Sequence, residues 1–445
     1  MIITDKQLTR FQQDYDANPN NRVVENAIAN VGLQEASLDS SLNRRHPFTF
    51  SHTTTKGEIT NQKSSGRCWM FSALNTARVD TMTKLNLETF EFSQTYTLFW
   101  DKLEKSNYFL ESILETVEEA TDSRIIMHLL TAPVQDGGQW DMFAGILSKY
   151  GAVPKSIMPE TFHSSNTMGL NRVLTSKLRE NAYTLRTAYR DGKSMEELRE
   201  LKEAMLSHLY SILVKSLGPV PTTFTFEYTD KDEKFHRISD ITPVDFFKEY
   251  VGWNLEDKVS LINAPTTSKP FGRAYTVKFL GTVKELYPIR YINVDLDTMK
   301  RAAIESIKNN EPVWFGCDVG KQSTRTTGIL DAKAYQYELT LNQDITLTKG
   351  QRLDYGESLL THAMVFTGVN LDNDGNPLTW QVENSWGDQV GQKGIFSMSD
   401  DWFDEYNYQI MVDKKYLSPT VLEALKKDII ELEPWDPMGA LALAK

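Results

Sequence analysis

Cysteine is scarce: the 445-residue chain holds two, Cys68 and Cys317. Two thiols so distant in sequence make no disulfide framework, and a reducing compartment is the simpler expectation. No run approaches the roughly 18 consecutive apolar residues of a membrane-spanning helix. The opening stretch MIITDKQLTRFQQDYDANPNNRV is polar and lacks the apolar core of a signal peptide. These absences lead to the expectation of a cytoplasmic protein with no membrane partner. Positive charge is short too. A formal net charge of −12 disfavours nucleic acid as a partner bound through overall charge. Seven scattered histidines, two distant cysteines and no His-Glu-x-x-His run leave no metal-ligand spacing, so no metal and no other cofactor is expected.

What is present is an ordinary globular composition, 40% hydrophobic and 24% charged, long enough for one large domain with insertions or for two to three smaller ones. No internal repeat or low-complexity tract stands out. A first helix is predicted over Asp5–Asn18. SSGRCWMFSALNTARVDTMTKLN reads as a loop feeding a helix that is apolar almost all round, hence buried. Residues 91–150 read as helical, broken at PVQDGGQWDMF. Residues 171–218 read as two long, charged, amphipathic helices turning near Asp191–Gly192. Short strand-like runs with Pro and Gly turns fill 219–295. Beyond 296 come a helix (LDTMKRAAIESIKNN), a short buried strand (EPVWFGCDV), a β-hairpin around Asp-Asn-Asp-Gly-Asn-Pro, and a further strand (QKGIFSMS). A helical first half and a β-rich second half make the fold class α+β.

Cys68 sits where a Gly-containing loop meets a helix. Main-chain N–H groups at a helix N-terminus favour a thiolate, yet a free cysteine is also a common small core residue. Position alone leaves both readings open. A nucleophilic thiol needs a base, and the base needs an orienting group. His362 opens the first strand of the predicted hairpin. Symmetric closure about residue 373 sets it opposite Asn384 to within about a residue. An Asn384 carbonyl accepting from one imidazole nitrogen would leave the other for the thiol. The alternative is a cross-strand polar pair without chemistry. Trp386 would shield that bond from water, or be an ordinary core tryptophan. Gln62, six residues before Cys68, is placed to join the Cys68 N–H in an oxyanion hole.

These residues carry a resemblance. NQKSSGRCWMFSA resembles the papain pattern of Gln followed by Gly-x-Cys-Trp-x-Phe-Ser. THAMVFTGV resembles its His strand and VENSWG its Asn-Ser-Trp-Gly strand, all in the same order. DGGQWDMF and the tail LEPWDPMGALALAK are similar to the bleomycin hydrolase and bacterial aminopeptidase C branch of the papain-like cysteine peptidases, and the likeness covers nearly the whole chain. The resemblance implies a papain-like core, a helical lobe plus a β-barrel-like lobe, with large helical insertions. It implies a homohexamer whose sites face an inner cavity. It makes Cys68, His362 and Asn384 a catalytic triad, with Gln62 in the oxyanion hole. Gly137 and Gly138 match the glycine pair lining the substrate cleft, where bare backbone pairs with a peptide; their other reading is a tight turn. The His-to-Asn gap is longer here than in small papain-like enzymes, with the extra residues in the turn.

The expected organisation is an N-terminal arm and helical lobe over 1–155, a hook-like helical insertion over 156–295, a β-rich lobe over 296–431, and a tail over 432–445 lying in the cleft. Pro434 and Pro437 stop helix ahead of the small apolar tail residues. Ala444 and Lys445 are expected near the incoming peptide amine, with Lys445 pointing away or trimmed; otherwise the tail is disordered, as chain ends often are. The long helices at 171–218 have apolar positions to spare for a neighbouring subunit, or form an intramolecular subdomain. The expected function is a thiol aminopeptidase acting on peptides. An acyltransferase on the same scaffold and a catalytically inactive binding protein are the alternatives; the intact Cys, His, Asn and Gln set argues against the last.

Overall fold

In RCWMFSALNTARVDTMTK small and apolar residues recur on every face, which suits a helix enclosed by other elements. The computed structural model describes residues 2–286 and 288–442. It forms that helix over Cys68–Lys84, with Trp69, Met70, Phe71, Ala73 and Leu74 buried at its start. Around it pack the helices Gln94–Glu115 and Trp140–Tyr150. The stretch between them is the glycine-containing break, residues 132–139, with a short helix Arg124–Thr131 before it.

The two long helices are Met168–Arg190 and Met195–Leu217. The first buries Leu170, Leu174, Leu178 and Leu185, and the second buries Leu198, Leu209, Leu213 and Leu217: one stripe each at helical spacing. Both stripes join the core of the same chain, against Gln94–Glu115. Part of the apolar surplus seen in the sequence is thus spent within the chain, while Met168, Val173, Tyr183 and Tyr210 of these helices stay exposed. The N-terminal arm differs. Its helices Asp5–Asp16 and Asn20–Val31 bury no residue, and Ile2, Ile3, Phe11 and Val23 are exposed.

The β-rich part is one sheet of twelve strands among the described residues. At its centre Val313–Cys317 lies between Asn407–Asp413 and His362–Leu371, followed by Pro377–Glu383 and Ile395–Ser399. Strands Lys258–Ile262, Tyr291–Asn293 and Arg273–Val277, from the stretch before residue 296, extend the same sheet beyond Asn407–Asp413. The hairpin turns at Asp372, whose carboxylate accepts the N–H groups of Asp374 and Asn376. The Cys68 helix lies against the start of the strand His362–Leu371: Ser72 Oγ donates to the Ala363 carbonyl at 2.9 Å, and Trp314 Nε1 donates to the Trp69 carbonyl at 3.0 Å. Among the described residues no helix is long and apolar enough to cross a membrane.

Candidate active site

Cys68 is the first residue of its helix, and Arg67 before it has non-helical backbone with no side-chain cap. The main-chain N–H groups of Ala363, Trp69 and Cys68 itself pull the thiol's pKa down. Ala363 directly follows His362, so the helix-to-strand contact brings Cys68 to the backbone next to His362. Burial nevertheless dominates. Cys68 is fully enclosed, and burial pushes its thiol up to about 12 against the pull of those N–H groups. The helix N-terminus alone therefore does not make a resting thiolate here.

His362 Nε2 lies 3.0 Å from Asn384 Oδ1. The Ser385 N–H donates to the same Asn384 atom at 2.8 Å, which identifies it as the oxygen. Nε2 must then be the protonated nitrogen, which leaves the lone pair on Nδ1. Nδ1 is buried and has no hydrogen-bond partner among the described residues. Burial pushes His362 down to about 4, partly offset by the Asn384 hydrogen bond. The Trp386 ring stacks obliquely on the imidazole, centroids 4.7 Å apart, and the Arg325 guanidinium covers Trp386 at 4.5 Å.

The route to this contact differs from symmetric closure. Val365 pairs with Glu383 and Phe366 with Val382, a register that extrapolates His362 opposite Trp386, two residues past Asn384. The paired strand ends at Glu383. Beyond it Asn384 donates its N–H to Gly394 while its side chain reaches His362.

Gln62 is fully buried and tied to the same stretch. Its N–H donates to the Ser385 carbonyl at 2.8 Å, its Oε1 accepts from Ser385 Oγ at 2.7 Å, and Nε2 donates to Ser65 O at 2.7 Å. Asn61 forms a β-bridge with Trp386. The loop before Cys68 and the loop after Asn384 are thereby held as a pair.

The two glycines do different things. The Gly137 carbonyl accepts from the buried Lys105 ammonium at 2.6 Å. Gly138 forms an antiparallel bridge with Ala442 of the tail. A Cβ on Gly138 would stand 2.5 Å from the Trp69 indole, so glycine is required there by the ring on one side while backbone faces the tail on the other. Ala444 and Lys445 lie outside the described residues. Cys317 is buried and faces His362 across the neighbouring strand, and burial pushes its thiol well up.

Sequence reasoning missed the charged frame behind the thiol. Asp136 accepts from the Gly66 N–H at 2.9 Å, Lys102 Nζ at 2.8 Å, Asn171 Nδ2 at 2.8 Å and the Thr167 hydroxyl, and its carbonyl accepts from Trp69 Nε1 at 2.6 Å. Burial alone would raise this carboxyl, but the Lys102 charge and these hydrogen bonds outweigh it and hold Asp136 well below the usual carboxylate range. Arg67 makes a two-pronged pair with Glu160 at 2.9 and 2.8 Å and donates Nε to Ser65 Oγ. Gln139 and Tyr291 meet the tail. The one local clue was polarity: Asp136 and Gln139 flank the glycine pair in a break between buried helices.

Three comparisons bear on this arrangement. The model of the peptidase C1-like family matches residues 2–439. Aminopeptidase C of Listeria monocytogenes is 48% identical over 99% of both chains, and human bleomycin hydrolase is 42% identical over 93% of this chain and 94% of its own. The crystal structure of pepw from Lactobacillus rhamnosis superimposes with a TM-score of 0.97 at 48% identity, covering 99% of each chain.

Proposed function

The chain belongs to the peptidase C1-like family, in its bleomycin hydrolase and aminopeptidase C branch, and is a cysteine-type aminopeptidase with a papain-like α+β fold; from that premise we propose that Cys68, His362 and Asn384 are its catalytic triad and that the C-terminal tail confines it to free N-termini. The observation that carries the triad is the His362 imidazole: one nitrogen is held by Asn384 Oδ1 at 3.0 Å, the other is buried and lacks a partner among the described residues, and the next residue, Ala363, pulls the Cys68 thiol down through its N–H.

Neither group favours a lone charge in this burial. Moving one proton from Sγ to Nδ1 creates both charges together, each offsetting the other's desolvation. The thiolate then attacks the carbonyl carbon of the first peptide bond. The Cys68 N–H and the Gln62 side-chain amide stabilise the oxyanion. The His362 imidazolium passes its proton to the departing amine as the C–N bond breaks, leaving an acyl-enzyme. His362 then takes a proton from water, whose hydroxide oxygen releases the aminoacyl group, and the proton returns to Cys68. Asn384 takes no proton; it keeps Nε2 protonated and the ring oriented.

The Gly138–Ala442 bridge supports the tail reading, because the tail's backbone occupies the position a peptide strand would take. A chain end there would meet the substrate's amine and exclude longer peptides. The uncovered arm residues Ile2, Ile3, Phe11 and Val23 support a homo-oligomer, a hexamer by resemblance, and two unpaired cysteines support a cytoplasmic setting. The test is hydrolysis of free and N-blocked aminoacyl reporters with and without iodoacetamide. Free-amine reporters alone should be cleaved, and alkylation should abolish cleavage. Equal cleavage of blocked reporters would refute the restriction, and insensitivity to alkylation the thiol.

A further inference from the structure

The tail is gripped through its main chain. Gln139 Nε2 donates to the Met438 carbonyl at 3.2 Å and to the Ala440 carbonyl at 2.6 Å. The Tyr291 hydroxyl donates to Gln139 Oε1 and also lies 3.1 Å from the Met438 carbonyl. That bond sets which way the Gln139 amide faces, so the NH2 is turned to the tail. Both side chains are buried, and Gly138, next to Gln139, bridges Ala442. Met438 lies in a single 3-10 turn, Pro437–Gly439, and the chain becomes extended at Ala440, so Gln139 grips the tail at the junction between turn and extended segment.

We propose that Gln139, oriented by Tyr291, is a positioning residue that sets the register of the tail in the cleft, and with it the number of residues removed per cut. The proposal rests on the reading that the tail closes the cleft. A slip of one residue takes the carbonyls of 438 and 440 off Gln139 and, along the extended part from Ala440 on, moves the tail by about 3.3 Å, one residue of substrate. A slip would also unwind the turn at Pro437–Gly439 and drag Asp436 from Lys269, its ion-pair partner at 2.9 Å, and Trp435 from beneath the Arg124 guanidinium at 3.7 Å. Because the grip is on backbone, it reads position along the tail and not the identity of its side chains.

The experiment compares full-length protein with a chain ending at Leu441, each as wild type, Gln139→Leu and Tyr291→Phe. The probe is a hexapeptide with a free amine, its first products resolved by mass spectrometry. Full-length wild type should release single residues. Full-length Gln139→Leu should release at least tenfold more dipeptide relative to single residues, and Tyr291→Phe should shift products the same way to a smaller extent. In the truncated chain, Gln139→Leu should leave the product pattern of its parent unchanged. A merely structural role would alter yield in both backgrounds without altering product length. Wild-type products from both full-length variants overturn the proposal, as does an equal change in the truncated chain. If the truncated parent still releases single residues only, the tail reading itself fails.

Discussion

The carboxylate of Asp136 accepts the Gly66 N–H at 2.9 Å, while its own carbonyl accepts the Trp69 indole at 2.6 Å. One residue therefore brackets Cys68 from both sides in the chain. Asp136→Leu strands the buried Lys102 ammonium, and the expected loss is about 3 kcal/mol or more in urea denaturation. Adding Lys102→Met removes the stranded charge and should recover most of that stability. Iodoacetamide labelling of Cys68 should stay altered in the double variant, since Gly66 still lacks its acceptor. A double variant that labels like wild type would reduce Asp136 to a stabilising ion pair.

Cys68→Ala should fold with an unchanged thermal midpoint and show no hydrolysis. Cys317→Ser should keep its activity and lose stability, because the hydroxyl enters a buried apolar cluster. Residual hydrolysis by purified Cys68→Ala would remove the thiol from the mechanism.

His362→Ala should slow alkylation of Cys68 sharply at neutral pH, since no base remains to take the thiol proton. Asn384→Ala should retain partial activity, since it orients the ring and carries no proton. The activity profile of the wild type should be bell-shaped, its limits belonging to the thiol–imidazole pair. Equal labelling rates in wild type and His362→Ala would contradict the pairing.

Deleting residues 442–445 should expose the thiol. Burial is the largest influence raising it to about 12, so relief of burial lowers its pKa and speeds labelling at neutral pH. Labelling that is unchanged by the deletion would mean that the cover over Cys68 comes from elsewhere.

Stability should fall at both ends of the pH range. The unfolded chain protonates His362 near its ordinary 6.5, while the folded chain resists until about 4, so stability is lost as pH falls through that window. The unfolded chain ionises Cys68 near 9 and the folded chain only near 12, so stability is lost as pH rises between them. At full extent the His362 shift is worth about 3 kcal/mol and the Cys68 shift about 4 kcal/mol. In denaturant titrations across pH, His362→Gln should flatten the acid limb and Cys68→Ala the alkaline one; a His362→Gln profile parallel to wild type below pH 6.5 would refute the first.

Local spacing determined much of this molecule. The loop-to-helix junction puts Cys68 at a helix start because the apolar run begins there, and the Asp-Asn-Asp-Gly-Asn-Pro cluster folds the hairpin whose strands begin at His362 and end at Glu383. Such features are legible because turn chemistry and hydrophobic period act over a few residues. The hairpin register was not, since irregularities at Phe366/Gly368 and Asn370/Leu371 break the simple pairing. Nor was the frame of Asp136, whose partners Gly66, Lys102, and Thr167 with Asn171 come from three separate stretches. The same holds for Gln139, whose partners are Tyr291 and the carbonyls of the tail. Buried polar groups must find partners wherever packing brings them, and no local pattern records which distant donor will be there. Burial itself was decided in the same way: the helix start favours a thiolate, but only the packed structure encloses Cys68 and His362 deeply enough for desolvation to outweigh it.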